Sequence, residues 1–323
     1  MIKKIFFIFI TVSFSFALPL ILFEIYLIYD QKYPPYEQFE YKIENIKYKF
    51  NDNPKKYSSD ISSEKVIFLG DSFVYGNVCA GNKKDFVNRV KSEIKNKKNY
   101  QIFNFGSYAR GPSDYLLIFN HFKENNLKKL IVVLNYNDIA INVVDCKTIK
   151  VLNKLGLIEN IKLCDKILNT NVDRYSGTFL KSLDNFLENT YVWRFIREKL
   201  YIFPFLRKYY GRTTFESLYQ NKNTIYYKTY IELLNVIKRE AENIGTEIEF
   251  VYFPEVNYLK KDNPKYWKLF INEAKKNNIE VKDSWEYFLE NKKSNDMRWS
   301  LTDYHPNCKA HKIMSEYILK YVL

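Results

Sequence analysis

The chain has 323 residues, of which 46% are hydrophobic, and it carries a formal net charge of +13. That length suits one or two domains around a sizeable core. The composition is skewed towards Lys, Asn, Ile, Tyr and Phe with only 9 Gly, the bias that A/T-rich codons impose, so part of the charge is compositional. No block of Lys or Arg is long enough, and no motif clear enough, to indicate a DNA or RNA partner; the basic balance reads as a solvated surface suited at most to anionic surfaces or polyanions.

The N-terminus is informative. Lys3 and Lys4 precede an uncharged run from Ile5 to Phe23, long enough to span a bilayer. Glu24 interrupts the run and Ile25 to Tyr29 continue it weakly. The run has no polar face, which argues against a buried helix of a globular core. Residues 1–29 are expected to form a transmembrane anchor. Its lysines stay cytoplasmic, and the rest of the chain lies in the periplasm or outside the cell. A cleaved signal peptide ending at Ser15-Phe16-Ala17, giving a secreted protein, is the alternative. Residues 30–60 read as a linker, with Tyr33-Pro34-Pro35 near its start and Asn51-Asp52-Asn53-Pro54 near its end.

From Glu64 onward strands and helices alternate. Val66 to Leu69 form a continuous apolar run closed by Gly70, the pattern of a strand buried on both faces. Phe86, Val87, Val90 and Ile94 recur at helical spacing. Gln101 to Phe105 predict a strand, Tyr115 to Phe122 a helix, and Leu130 to Leu134 a third strand. Residues 145–220 then read as a mostly helical insertion rich in aromatics such as Tyr191, Trp193 and Phe205. Alternation resumes with a long helix through Tyr230, Leu233, Leu234, Ile237 and Ala241, and a strand from Ile248 to Phe253. A helix over Tyr266 to Lys276, a strand near Ile279 to Val281 and a last helix through Ile313, Met314, Tyr317 and Ile318 complete the chain. This order implies an α/β fold with a parallel sheet covered on both faces, its ligands at the carboxyl ends of the strands.

The four cysteines are Cys79, Cys146, Cys164 and Cys308, with no CxxC pair. That spacing does not indicate a zinc or redox centre, and no metal or other cofactor is expected. In an oxidising compartment Cys146 and Cys164 are the first candidates for a disulfide; four free buried thiols are the alternative.

Four segments fall at or beyond strand ends. Gly70-Asp71-Ser72 follows the first strand, where Gly permits a tight turn and Ser72 can serve as a nucleophile, or Asp71 or Ser72 can cap the next helix. Asn104-Phe105-Gly106-Ser107 follows the second; a Gly there lets a substrate approach the backbone N–H. Asn135-Tyr136-Asn137-Asp138 follows the third, and supplies either an amide donor or an Asx turn. Asp303-Tyr304-His305-Pro306-Asn307 precedes the last helix and reads as an acid and base, or as a capped polar turn. Of the three histidines only His305 has an acid two residues away. His311 suits a structural place in the last helix and His121 has no assigned role.

The order and context of these segments resemble the SGNH (GDSL-type) serine hydrolases, over Glu64 to Asp138 and about the last hundred residues. The resemblance implies a three-layer sandwich around a five-stranded, parallel, flavodoxin-like sheet, here residues 61–323 with the insertion at about 145–220. It also implies Ser72 as nucleophile, His305 as base and Asp303 as acid, with an oxyanion hole built from Ser72, Gly106 and Asn137. Three positions depart from the family pattern. Asn135 stands where the third block usually begins with Gly. Phe73 replaces the usual Leu after the serine. One residue, not two, separates Asp303 from His305, a spacing that resembles membrane-anchored members.

The expected activity is therefore that of an extracytoplasmic serine esterase removing acyl groups, O-acetyl above all, from a glycan or related surface polymer. The same residues would serve an O-acyltransferase, in which a sugar hydroxyl replaces water. A non-catalytic glycan-binding or scaffold protein on the same fold is the other alternative.

Overall fold

Five strands with almost no polar residue facing outward need cover on both sides, and a parallel sheet between helix layers provides it. In the computed structural model these are β3 (Glu64–Leu69), β4 (Tyr100–Asn104), β5 (Leu127–Leu134), β6 (Glu247–Tyr252) and β7 (Val281–Asp283). They form one five-stranded sheet in the order β4-β3-β5-β6-β7, every neighbouring pair parallel. Counted along the chain this is the 2-1-3-4-5 order of flavodoxin-like sheets, whose switch point lies beside its first strand. The structure describes residues 18–26, 29, 38–59, 63–76, 79, 83–95, 100–124, 126–135, 137–138, 146–159, 225–256, 265–292, 297–299 and 305–323.

The helices of the sheet domain are α1 (Pro54–Ser59), α2 (Ser72–Tyr75), α3 (Phe86–Ile94), α4 (Pro112–Phe122), α5 (Cys146–Lys154), α6 (Ile225–Asn243), α7 (Lys265–Lys276), α8 (Trp285–Asn291) and α9 (Cys308–Tyr321). Right-handed crossovers put α3 on one face of the sheet, and α4 and α6 on the other, because the chain reverses direction after β4. The helix pairs agree with this: α3 packs against α9, and α4 against α6. The result is the α/β sandwich expected from the sequence.

The strands end nearly level, with Phe68 beside Asn104, Leu69 beside Val132 and Leu134 beside Tyr252. Ladder bonds run past those ends, from Phe105 N–H to Phe68 O at 2.9 Å and from Ser107 N–H to Gly70 O at 3.0 Å. The turns after β3 and β4 are therefore fixed to one another. Two glycines make this close approach possible. A Cβ on Gly70 would lie 2.2 Å from Val74 Cγ2 and 2.9 Å from Val133 O, and one on Gly106 would lie 2.5 Å from Tyr75 N.

Part of the expected linker is folded. Phe39–Ile43 (β1) and Ile46–Phe50 (β2) pair antiparallel as a hairpin that turns at Glu44, in the left-handed region with φ 53°. Ile43, Ile46, Tyr48, Phe50 and Tyr57 are all buried in the common core. The alternation Ile46-Lys47-Tyr48-Lys49-Phe50 carries the physical reason: its apolar face packs inward while both lysines stay exposed. The end of this segment also braces the strand-end turns. Asn51 Nδ2 donates to Tyr75 O, and Asp52 accepts from both Asn104 N–H and Lys91.

Two compact units divide the chain: residues 1–33, 172–212 and 299–304 in one, and 34–171, 213–298 and 305–323 in the other. In the first, residues 18–26 are helical, and Leu18, Leu20, Ile21, Leu22, Ile25 and Tyr26 are exposed. Among the described residues no helix is long and apolar enough to cross a membrane; most of the run from Ile5 to Phe23 lies outside those residues. Of the insertion, only residues 146–159 are described, beginning with α5.

The cysteine expectation is corrected. Cys79 is bonded to Cys308 with Cα atoms 5.4 Å apart, and Cys146 is a free, half-buried thiol. Cys164 lies outside the described residues. The two bonded cysteines are 229 residues apart in sequence, and only the sheet topology brings the start of α9 beside the turn after α2.

Candidate active site

Ser72 opens α2, a single turn directly after the β3 end. The helix cap is Asp71, whose Oδ1 accepts from Phe73 N–H at 2.8 Å. Because Asp71 does the capping, the Ser72 hydroxyl is left for another partner. That partner is His305, whose Nε2 lies 2.8 Å from Ser72 Oγ. The alternative contact, from Ser72 Oγ to Asp71 Oδ2, is 3.5 Å long and correspondingly weak. A four-residue helix has too few aligned peptides for a strong dipole, so the imidazole is the stronger influence on the Ser72 hydroxyl.

His305 is held from the C-terminal side. Asn307 caps α9, its Oδ1 accepting from Lys309 N–H at 3.0 Å and Ala310 N–H at 3.3 Å. Asn307 N–H donates to Met297 O at 2.7 Å, and Arg298 and Pro306 form an isolated bridge. The half-buried imidazole has the buried Phe73 ring 5.9 Å away and the Tyr108 ring 6.0 Å away, centroid to centroid. Tyr108 is 54% exposed. Asp303, the expected acid, lies outside the described residues.

The expected oxyanion donors are brought to the same strand ends, but two of them already have partners. Gly106 N–H donates to Asn104 Oδ1 at 3.0 Å. The Asn137 amide hydrogen-bonds Asp71, and its backbone N–H donates to Asn135 Oδ1 at 3.3 Å. Among the described residues Asn137 Oδ1 is buried with no hydrogen-bond partner. Asn104 is a member of the site that its residue type alone did not reveal. Fully buried, it accepts from Gly106 and donates through Nδ2 to Val74 O at 2.8 Å, so it ties the glycine turn to the serine turn.

Beneath Ser72 lie two buried carboxyls. Burial raises Asp71 above its ordinary range, against the bond from Phe73 N–H and the attraction of His305, both of which pull it down. Asp138 is raised further, by burial and then by the Asp71 charge, while Asn135 N–H donates to it at 2.8 Å and Tyr115 OH at 2.9 Å. Like charges in a dry site disfavour joint ionisation, so this pair is poised to hold a proton.

The other two histidines are placed elsewhere. His311 is buried in α9, where Nδ1 accepts from Phe86 N–H at 3.3 Å. His121 meets Tyr41 OH at 3.2 Å on the hairpin side. Among the described residues no cluster of three or more His, Cys, Asp or Glu side chains could hold a metal ion.

No family model matches the sequence. No curated protein matches it either. Solved structures to which the chain is similar include three esterase or lipolytic proteins. An acetyl xylan esterase is 15% identical, with 80% of this chain and 100% of that one covered and a TM-score of 0.41. A catalytic mutant of an acetylxylan esterase from Geobacillus stearothermophilus is 13% identical, covering 80% and 93%, with a TM-score of 0.42. A member of the lipolytic protein G-D-S-L family from Veillonella parvula is 10% identical, covering 80% and 98%, with a TM-score of 0.41.

Proposed function

We propose that the protein is a carboxylic ester hydrolase, a serine esterase of SGNH type acting through an acyl-enzyme. The observation that carries this reading is the 2.8 Å contact between His305 Nε2 and Ser72 Oγ, at the strand end where α/β sheets place their ligands. His305 takes the Ser72 proton as Oγ attacks the ester carbonyl, then gives it to the leaving alcohol. Water, deprotonated by the same imidazole, releases the acid. Asp303 is assigned to orient His305 from the other ring nitrogen. The oxyanion is assigned to the Ser72 N–H, to the Asn137 amide, shared with Asp71, and to the Gly106 N–H, shared with Asn104 Oδ1.

The proposed substrate is an acylated, above all O-acetylated, glycan. The exposed Tyr108 ring supports this, since it sets a flat apolar face beside His305 on which a sugar ring can lie. The proposed location is outside the cytoplasm, tethered through residues 1–29. The Cys79–Cys308 disulfide supports an oxidising compartment, because such bonds are rare where thiols are kept reduced. A fluorophosphonate probe tests the core of the proposal. It should label the native protein and spare Ser72→Ala; a folded native protein that stays unlabelled and cleaves no ester sinks the esterase assignment.

A further inference from the structure

We infer that the Cys79–Cys308 disulfide is a positioning clasp for the Ser72–His305 pair, so that breaking it slows acyl transfer while leaving the fold intact. This rests on the esterase reading of that pair. Cys79 lies seven residues after Ser72, and Cys308 three residues after His305. The bond therefore joins the two short segments that present nucleophile and base, rather than points distant from the site.

Short stretches of backbone tie each cysteine to the reacting residue on its side. Ser72 O accepts from Gly76 N–H at 2.9 Å, and Gly76 O accepts from Cys79 N–H at 2.8 Å. Through Gly76 these two bonds link the serine to the cysteine. Gly76 takes the left-handed conformation, φ 68°, that this reversal requires. On the other side Pro306 restricts the backbone and Asn307 caps the helix that Cys308 begins. Separation of the sulfurs would let the first turn of α9 shift against α2. A displacement of about 1 Å between reacting groups costs on the order of a hundredfold in rate.

The remainder of α9 has its own attachments. His311 Nδ1 accepts from Phe86 N–H at 3.3 Å, and its ring stacks on Phe86 and meets Phe253 edge-on. Met314 and Ile318 are fully buried in the core. The helix is thus docked without the disulfide, and what the bond adds is register at its first turn. Cys79 is fully buried and Cys308 half-buried, so a thiolate attacks the Cys308 sulfur. Cys79 leaves as a thiolate and takes up a proton. The second thiol of dithiothreitol then closes its own ring and releases Cys308 as a thiol: one disulfide is reduced and one dithiol oxidised.

The test uses the full chain carrying Cys146→Ser and Cys164→Ser, so that only the one disulfide responds. It compares the oxidised and dithiothreitol-reduced protein, and a further Cys79→Ser/Cys308→Ser double variant. Thiol titration should show two new thiols on reduction, and the far-UV circular dichroism should be unchanged. The rate of fluorophosphonate labelling and kcat on p-nitrophenyl acetate should fall about tenfold to a hundredfold. KM should move by no more than about twofold, since ground-state binding is untouched. Reoxidation should restore the rate, and the double variant should be slow in either buffer. Equal labelling of oxidised and reduced folded protein overturns the clasp alone. Loss of the far-UV signal on reduction also overturns it, by making the bond a general brace. An oxidised protein that never acylates removes the esterase reading and the clasp together.

Discussion

His305 Nε2 and Ser72 Oγ meet at 2.8 Å although 233 residues separate them in sequence. The contact is made by two caps: Asp71 takes the backbone N–H of Phe73, and Asn307 takes those of Lys309 and Ala310. Each cap leaves the Ser72 hydroxyl or the His305 imidazole free of capping duty. Ser72→Ala and His305→Ala should each lower ester hydrolysis by at least about a thousandfold. Ser72→Ala should cost under about 1 kcal/mol of stability, because it removes a single hydroxyl. Steady-state rates and thermal melts on the same samples check both, and a Ser72→Ala protein with native turnover would falsify the nucleophile assignment.

Gly106 sits where α2 folds back on the β4 turn. A Cβ there would stand 2.5 Å from Tyr75 N and 2.7 Å from Val74 Cβ, and neither can rotate away. Gly106→Ala should therefore destabilise the protein by about 1–3 kcal/mol, the range of overpacking. It should also slow fluorophosphonate labelling more than it weakens the fold, because the displaced turn carries Ser72 with it. Denaturant melts and labelling rates separate the two effects. Unchanged labelling in a destabilised variant would show that the turn is purely structural.

Tyr108 tests the glycan assignment. Its ring is exposed beside His305, and the turn behind it is fixed by Arg110, which donates to Lys47 O at 2.7 Å and pairs with Asp114 at 3.5 Å. Loss of one ring face from a stacked sugar costs about 0.5–1.5 kcal/mol. Tyr108→Ala should lower kcat/KM on an acetylated pyranoside by about threefold to tenfold and leave p-nitrophenyl acetate unaffected, with Tyr108→Trp restoring the loss. Parallel loss on both esters would instead mean that Tyr108 acts through His305.

Much of this arrangement is legible in the sequence because it depends on local patterns. The apolar runs of β3 and β5 and the amphipathic spacing of α3 mark buried strands and a docked helix from residue types alone. The turns that follow β3, β4 and β5 are short and rich in Gly and Asn, so their places at the sheet edge follow from the alternation. What escaped depends on tertiary contacts. The role of Asn104 needs both the Gly106 N–H and Val74 O in place around it. The Cys79–Cys308 pairing needs the C-terminal helix returned to the first βα turn, which spacing does not encode. The hairpin before residue 54 falls inside the expected linker although Ile46, Tyr48 and Phe50 alternate clearly, because Tyr33-Pro34-Pro35 and the charged neighbours carry the pattern of an open linker.

His311 gives a pH prediction with a defined sign. Burial, then the electrostatic influence of Arg89 and His305, lower its pKa from 6.5 to about 3. The unfolded chain takes up a proton near 6.5 and the folded chain does not until about 3, so between those values the unfolded state binds more protons. The contribution of a neutral His311 is thus fully present above about pH 6.5 and lost as pH falls towards 3. Its full size is on the order of a few kcal/mol. Asp71, Asp85 and Asp138, all raised by burial, act in the opposite sense, so the slope of the native protein alone mixes both. A variant isolates the imidazole. His311→Asn keeps an acceptor for Phe86 N–H but has no proton to gain. The native protein should lose more of its melting temperature than His311→Asn between pH 7.5 and pH 4.5, and the two curves should converge or cross on the acid side. Curves that stay parallel through that window would mean that His311 is protonated in the fold, contrary to its burial against Phe86 and Phe253.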